Sequence, residues 1–560
     1  MSSDKICPEC NQEYTITVHR WCKPCCSKHF QNDFNNWTSG DDKIDKFIQD
    51  TQLNANDHLE VIEWIPYDRF KDVKQIGKGG FGTIHYARWI DGRIRKWNIE
   101  NQQWKRDRNY GEVEVALKKF DNFVNFNDVL NEMAIHLKIN RRYASVKFYG
   151  ITQDPETYSY MMVLEYAKDG NLREYLKINF NNISWFQKLF NLTVLSSRLM
   201  NIHEEDIVHH DFHPGNILSD GFNYSDNLQI SDFGLSKLIG TNPICPEKKN
   251  VVGVLPYIAP EVLSGDEEYT KAADVYSFGI ISYEIVTGFP PYPDIPHNKD
   301  LAMKICNGLR PKIPFRTPKL ITIMIMRCWD ARVTHRPTFK ELKNELWKYH
   351  DDYNDYLDEG KNEDEEIVIQ IEEAEEFSAN QESTNRTATT TTTPFNYQTH
   401  PQAIYTSRLL NFKNLPKPKN EENFERELEE LTKSMSNLCP KEALVELLKN
   451  DSVLYLNETH FTIDDIDKRI ICLFANNSDQ VQKGKLETLK YLEKLNLEFQ
   501  RLREIMGAII QRAIEESLQK NGVLYEQKVK RKEQKAKDAR KRLEDYDFIF
   551  LFYTMEWEFC

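Results

Sequence analysis

No apolar run in this chain approaches the roughly 20 residues that a membrane-crossing helix needs. The opening Met-Ser-Ser-Asp-Lys-Ile-Cys has no apolar signal region, so neither a membrane nor a secretory destination is expected. Excess positive charge is missing too. The 73 Lys and Arg are outnumbered by 87 Asp and Glu, and the formal charge of −14 argues against a protein whose main task is gripping nucleic acid. A chain expected in the cytoplasm has little use for disulfides, so its 11 cysteines read as thiols or metal ligands. What is present is bulk: 560 residues exceed one ordinary domain, and 40% hydrophobic with 12% aromatic residues suffices for a large core.

Several cysteines crowd the first thirty residues. Cys7-x2-Cys10 and Cys22-x2-Cys25 can set four thiolates tetrahedrally around Zn2+, with Cys26 and His29 leaving the fourth ligand open. A segment this short has almost no core, so metal binding would supply its folding energy. The competing reading is a Cys-rich terminus with chance spacing. Residues 31–65 are polar and read as a linker with a short amphipathic stretch at Ile44–Ile48. A packed domain then runs over 66–349. The alternation around Lys74–Ile76 and Thr83–Ala87 predicts a hairpin. An insertion at Arg88–Tyr110 carries Trp89, Trp97 and Trp104 and predicts a hairpin that packs its own tryptophans.

Four motifs lie in series inside this domain. Gly77-Lys78-Gly79-Gly80-Phe81-Gly82 gives G-x-G-x-x-G, where the absent side chains let the backbone close over phosphates. Val115-Ala116-Leu117-Lys118 puts a lysine on a predicted strand, and Glu132, on a predicted helix, is its candidate ion-pair partner. His209-His210-Asp211-Phe212-His213-Pro214-Gly215-Asn216 spaces an Asp and an Asn five apart, and Asp232-Phe233-Gly234 follows. One such motif is weak; the ordered set is strong. Over residues 66–349 the chain resembles a eukaryotic protein kinase.

The resemblance implies an α+β, two-lobed fold: a small, mostly antiparallel β lobe with one main helix, and a larger helical lobe, with ATP between them. It implies Asp211 as the acid that takes the acceptor hydroxyl's proton, Lys118 and Glu132 as catalytic partners, and Asn216 and Asp232 as magnesium ligands. Nucleotide contacts are implied at Ile76, Gly77, Gly79, Gly82, Ile84, Ala116, Lys118, Glu165 and Ala167, with Leu164 in the gatekeeper place. Ala259-Pro260-Glu261 would close the activation segment, with Arg336 pairing Glu261, and Asp274 would brace the catalytic loop. Tyr283–Gly288 and Cys328-Trp329-Asp330 most resemble the tyrosine-kinase-like branch of serine/threonine kinases. The expected reaction is phosphoryl transfer from ATP to a protein serine or threonine, with tyrosine second and a pseudokinase scaffold as the rival.

Three positions depart from the family pattern. His210 stands where an arginine usually precedes the catalytic Asp, His213 where these kinases have lysine, and Val254 where threonine is common. Arginine is a permanently charged fork and histidine is not, so dependence on a phosphate at Ser236 or Thr241 is expected to be weak. Beyond the domain, 350–420 is acidic and Thr-rich and is expected to be disordered. Residues 421–560 predict helices. Leu495, Phe499, Leu502, Met506, Ile509 and Ala513 step at coiled-coil spacing, a route to self-association.

Overall fold

The structure is a computed structural model that describes residues 5–78, 82–107, 112–120, 126–140, 144–222, 228–238, 251–265, 268–384 and 399–436. The chain divides into two compact units, Met1–Leu428 and Glu429–Cys560. Of the second, only residues 429–436 are described, so the coiled-coil expectation lies outside the described residues, as do Gly79 and Thr241.

The small lobe is built on a six-stranded sheet of order β1-β7-β8-β6-β3-β2. Its members are β1 (Glu63–Trp64), β2 (Phe70–Lys78), β3 (Gly82–Trp89), β6 (Val113–Phe120), β7 (Phe148–Gln153) and β8 (Tyr160–Glu165). All neighbours run antiparallel except β1 and β7. The insertion forms a separate hairpin, β4 (Ile94–Asn98) with β5 (Gln103–Arg106). Helix α3 (Phe126–Asn140) packs Val129 and Met133 against Phe148, Met162 and Leu164 of the sheet.

Preceding them are α1 (Lys23–Asp33) and α2 (Asp42–Asn54). The structure departs from a linker over 31–65. Asp41 caps α2 by accepting from the Lys43 and Ile44 main-chain N–H groups, and Ile44 and Ile48 enter the same core as Val129 and Met133. The amphipathic period that looked isolated is the buried face of a helix, and a polar remainder is what its outer face requires. The hairpin also packs more than its own tryptophans. Trp97 and Trp104 meet edge to face at 5.1 Å, but Trp97 stacks on His29 at 3.9 Å and Trp104 on Phe30 at 4.3 Å. A bidentate pair from Arg106 to Glu63 then ties the hairpin to β1.

The large lobe contains α4 (Leu172–Asn179), α5 (Trp185–Glu204), α6 (Pro260–Ser264), α7 (Lys271–Thr287), α8 (Lys299–Cys306), α9 (Lys319–Cys328) and α10 (Phe339–Glu359). Helix α7 is buried on all sides from Ala273 to Thr287, which makes it the centre of this lobe. Short strands β9 (Ile207–Val208) and β12 (Lys237–Leu238) pair, as do β10 (Ile217–Leu218) and β11 (Gln229–Ile230), bracketing the loop that carries Asp211 and Asn216.

The region expected to be disordered is in large part built. Helix α10 runs to Glu359, started by a Thr338–Glu341 capping box, and α11 (Glu366–Thr384) follows. Its Ile367, Val368 and Ile371 are buried, so the acidic composition describes the outer face and hides a short apolar stripe. Residues 399–420 then run along the large lobe and include β14 (Arg408–Leu410), before α12 (Phe424–Ser436). Strand β14 pairs antiparallel with β13 (Val251–Gly253).

Candidate active site

Lys118 sits on β6 where pairing to β3 and β8 sets its register opposite Ile84 and Met162. Its ammonium hydrogen-bonds the Glu132 carboxylate of α3 and, at 2.8 Å, Asp232 Oδ1. Burial works against the lysine's charge, yet Asp232 and Glu132 outweigh it and raise its pKa, so it stays protonated. Burial likewise opposes ionisation of Asp232, but Lys118 overrides it and holds that carboxyl down at about 2. Asp232 has φ 63°, a left-handed conformation that is uncommon for a residue with a side chain. Glu132, wholly enclosed, has its carboxyl raised by burial against the pull of Lys118.

The loop bearing Asp211 is tied down from below. Asp274 of α7 accepts from the main-chain N–H groups of His209 (2.9 Å) and His210 (3.4 Å) and from His203 Nε2 (2.9 Å). His209 bonds Ser231 O at 3.0 Å through Nε2 and accepts the Asp211 N–H on Nδ1, so its ring is a neutral tautomer, and burial lowers its pKa accordingly. Asn216 donates its amide to the Asp211 main-chain oxygen at 2.9 Å, leaving its side-chain oxygen as the atom suited to a cation. Burial tends to raise the Asp211 carboxyl, but His213 and a hydroxyl from Ser407 outweigh it and hold it below the usual range.

At the mouth, Gly77 pairs with Ile84, and Ile76 is 47% exposed. A Cβ on Gly82 would lie 2.1 Å from the Lys119 carbonyl oxygen, so close strand packing alone demands glycine there. Ala116 pairs with Leu164 across β6 and β8. Glu165 is held by Lys147 (2.6 Å) and Gln229 (2.8 Å), and the Ala167 carbonyl accepts from Gly170. Arg336 and Glu261 form a buried bidentate pair at 2.7 and 2.8 Å.

Ser236 does not sit as a loop acceptor would: it is 2% exposed and donates to the His209 carbonyl at 3.0 Å. His210 stacks on Tyr269 at 4.3 Å and has φ 69°. Sequence reasoning noted His213 only as a departure from the family's lysine, and it missed Gly253 and Ser407 around Asp211, since neither belongs to a recognisable motif. His213 Nδ1 accepts from the Gly215 N–H at 3.0 Å, while its Nε2 lies 3.2 Å from Ser407 Oγ and 3.7 Å from Asp211 Oδ2. Gly253 has φ 146°, and a Cβ there would stand 3.2 Å from Asp211 Oδ1.

Apart from this site, Cys7, Cys10, Cys22 and Cys25 bring their sulfurs within 4.8 Å of one another. Cys26 instead packs with Trp21 and Phe30, and His29 pairs with Glu9 at 2.9 Å, so neither competes for the fourth position.

Residues 70–346 match the family described as protein tyrosine and serine/threonine kinase. The Dictyostelium discoideum protein named Probable serine/threonine-protein kinase roco5 is 30% identical over 298 residues, covering 50% of this chain and 10% of that one. Tyrosine-protein kinase SPK-1 of Girardia tigrina is 28% identical over 299 residues, covering 52% of this chain and 54% of its own. The chain thus spans from a tenth to about half the length of these relatives. With the motifs, the two-lobed fold and these likenesses in agreement, residues 70–346 place the chain in the eukaryotic protein kinase family.

Proposed function

We propose that this chain is an active protein kinase that moves the γ-phosphate of ATP to serine or threonine hydroxyls of protein substrates. The observation that carries this reading is the buried Lys118 ammonium held between Glu132 and Asp232, with Asp211 and Asn216 on the braced loop. A cleft that only displayed a surface would gain nothing from burying these charges, since a buried ion pair is costly to desolvate. Asp211 accepts the acceptor hydroxyl's proton and aligns its oxygen. Lys118, oriented by Glu132, holds the non-transferred phosphates. The Asn216 side-chain oxygen and the Asp232 carboxylate suit Mg2+, which when bound neutralises charge on the phosphate oxygens. The serine/threonine name of the Dictyostelium relative and the serine hydroxyl seated at Asp211 favour those acceptors over tyrosine.

Phosphoamino-acid analysis after incubation with Mg-ATP tests both points. Wild type is expected to yield phosphoserine or phosphothreonine. Asp211→Asn is expected to bind nucleotide nearly as well and to lose transfer by several powers of ten; equal turnover would remove Asp211 from the proton-accepting role, and no transfer by the wild type would favour the scaffold reading.

The cysteine cluster is proposed as a Zn2+ site. Ligands at ~2.3 Å in a tetrahedron stand roughly 3.8 Å apart, and Cys7–Cys25 at 3.8 Å and Cys10–Cys22 at 3.5 Å lie close to that spacing. No helix among the described residues is long and apolar enough to cross a membrane. A cytoplasmic location is proposed on the free thiols of the described cysteines.

A further inference from the structure

A serine of this chain lies against Asp211. Ser407 Oγ donates a hydrogen bond to Asp211 Oδ2, the carboxylate read above as the proton acceptor. His213 approaches the same hydroxyl at 3.2 Å. Because His213 Nδ1 accepts from Gly215, its proton in the neutral ring is on Nε2, which donates to Ser407 Oγ. One lone pair on that oxygen is thus engaged, its hydroxyl proton points at Asp211, and the second lone pair is left to attack.

This placement is held along a length of chain. Gly253, Val252 and Val251 of β13 pair with Arg408, Leu409 and Leu410 of β14. Upstream, His297 donates its main-chain N–H to the Gln402 carbonyl and its Nδ1 lies 2.9 Å from the Ile404 carbonyl, and Arg173 bonds the Tyr405 carbonyl at 2.9 Å while its guanidinium lies 4.7 Å from the Tyr405 ring. Downstream, Asn420 bonds both the Ala331 N–H and Asp330. Contacts on both sides of Ser407 therefore set its position, and no protein substrate could pair with β13 while β14 is there.

We infer that Ser407 is phosphorylated in cis, and that residues 399–424 are an intramolecular substrate which screens the acceptor site until that reaction occurs. The inference rests on the kinase reading above. In the step, Ser407 Oγ forms a bond to the γ-phosphorus of ATP, the bond from that phosphorus to the β,γ-bridging oxygen breaks, and ADP leaves. The hydroxyl proton passes to Asp211 Oδ2 and then to solvent. The product carries about −1.5 to −2 charge beside an ionised Asp211, and like charges at that range repel. Phosphorylation should therefore loosen β14 from β13 and open the site to other proteins.

The test uses the full chain, phosphatase-treated and then given Mg-ATP, with casein as a separate acceptor to report kinase competence. Phosphate is expected on Ser407 at a first-order rate that survives about hundredfold dilution, because an intramolecular acceptor does not dilute with the chain. Ser407→Thr should convert that label to phosphothreonine, and Ser407→Ala should lose it. Casein phosphorylation should start with a lag in the wild type, stay low in Ser407→Ala and lack the lag in Ser407→Glu. Independently of activity, amide exchange at 251–253 and 408–410 should be protected in the unphosphorylated chain and faster in Ser407→Glu. Casein labelled while Ser407 stays unmodified, or Ser407 labelled at a rate proportional to chain concentration, would overturn the inference and leave the kinase reading intact. Equal exchange in Ser407→Glu and wild type would overturn the screening role. A chain that labels neither acceptor removes the inference and the kinase reading together.

Discussion

His136 shows how far a single side chain can be read. It lies on α3, one turn beyond Glu132, wholly enclosed, with its ring 4.9 Å from Phe233. Burial above all, with Lys118 adding to it, pushes its pKa down to about 3. The unfolded chain takes up a proton near pH 6.5 and the folded one does not, so stability is full above that value and falls as pH drops towards 3. The slope is about 1.4 kcal/mol per pH unit, or about 2 kcal/mol between pH 6.5 and 5. Buried His209 acts in the same direction. His136→Leu is expected to flatten the pH dependence of the urea midpoint over that window; an unchanged slope would mean another group sets it. The pairing of Lys118 with Glu132 was legible without coordinates because motif spacing sets it, and in the structure Asp232 joins that pair while Asn216 bonds the Asp211 carbonyl. Ser236 was not legible, because burial is decided by partners distant in sequence, here the His209 carbonyl.

Elements were legible where one face is apolar and contiguous, and obscure where composition averaged two faces together. Helix α3 belongs to the first kind; β2, exposed along most of its length, was legible from its alternation and the glycines beside it. Helix α11 and strand β14 belong to the second: a few buried positions in an acidic or Thr-rich stretch are enough to dock once the large lobe offers a surface. The β4–β5 hairpin was foreseen as an element but not as a clamp. Its Trp104 stacks on Phe30 and lies 6.0 Å from Trp21, and aromatic pairs contribute about 0.5–1.5 kcal/mol each beyond buried area. Trp104→Ala is therefore expected to raise amide exchange through residues 16–34 while leaving α5 and α7 unchanged. Uniform loss of protection would show that the hairpin supports the whole fold instead.

At the scale of the molecule, the described segments of Met1–Leu428 that lie outside the kinase match are joined to it. Ile44 and Ile48 share a core with Val129 and Met133 on the helix that carries Glu132, so a fragment starting at residue 66 would leave that helix with bare apolar surface. The cysteine module reaches the same lobe through Trp97 and Trp104. Metal analysis is expected to find one zinc per chain, lost on chelation together with the protection of residues 5–36, since so small a core depends on its metal. Zinc-free protein with unaltered exchange there would refute this. The β13–β14 pairing has a consequence in time. Closing a loop that spans most of the large lobe comes late, after its anchoring surfaces exist. During synthesis at roughly 5–20 residues per second, Gly253 leaves the ribosome about 10–30 s before Arg408 does. Each newborn chain thus passes through an interval in which Asp211 faces no serine of its own, and a neighbouring protein would meet an Asp211 that Ser407 has yet to reach.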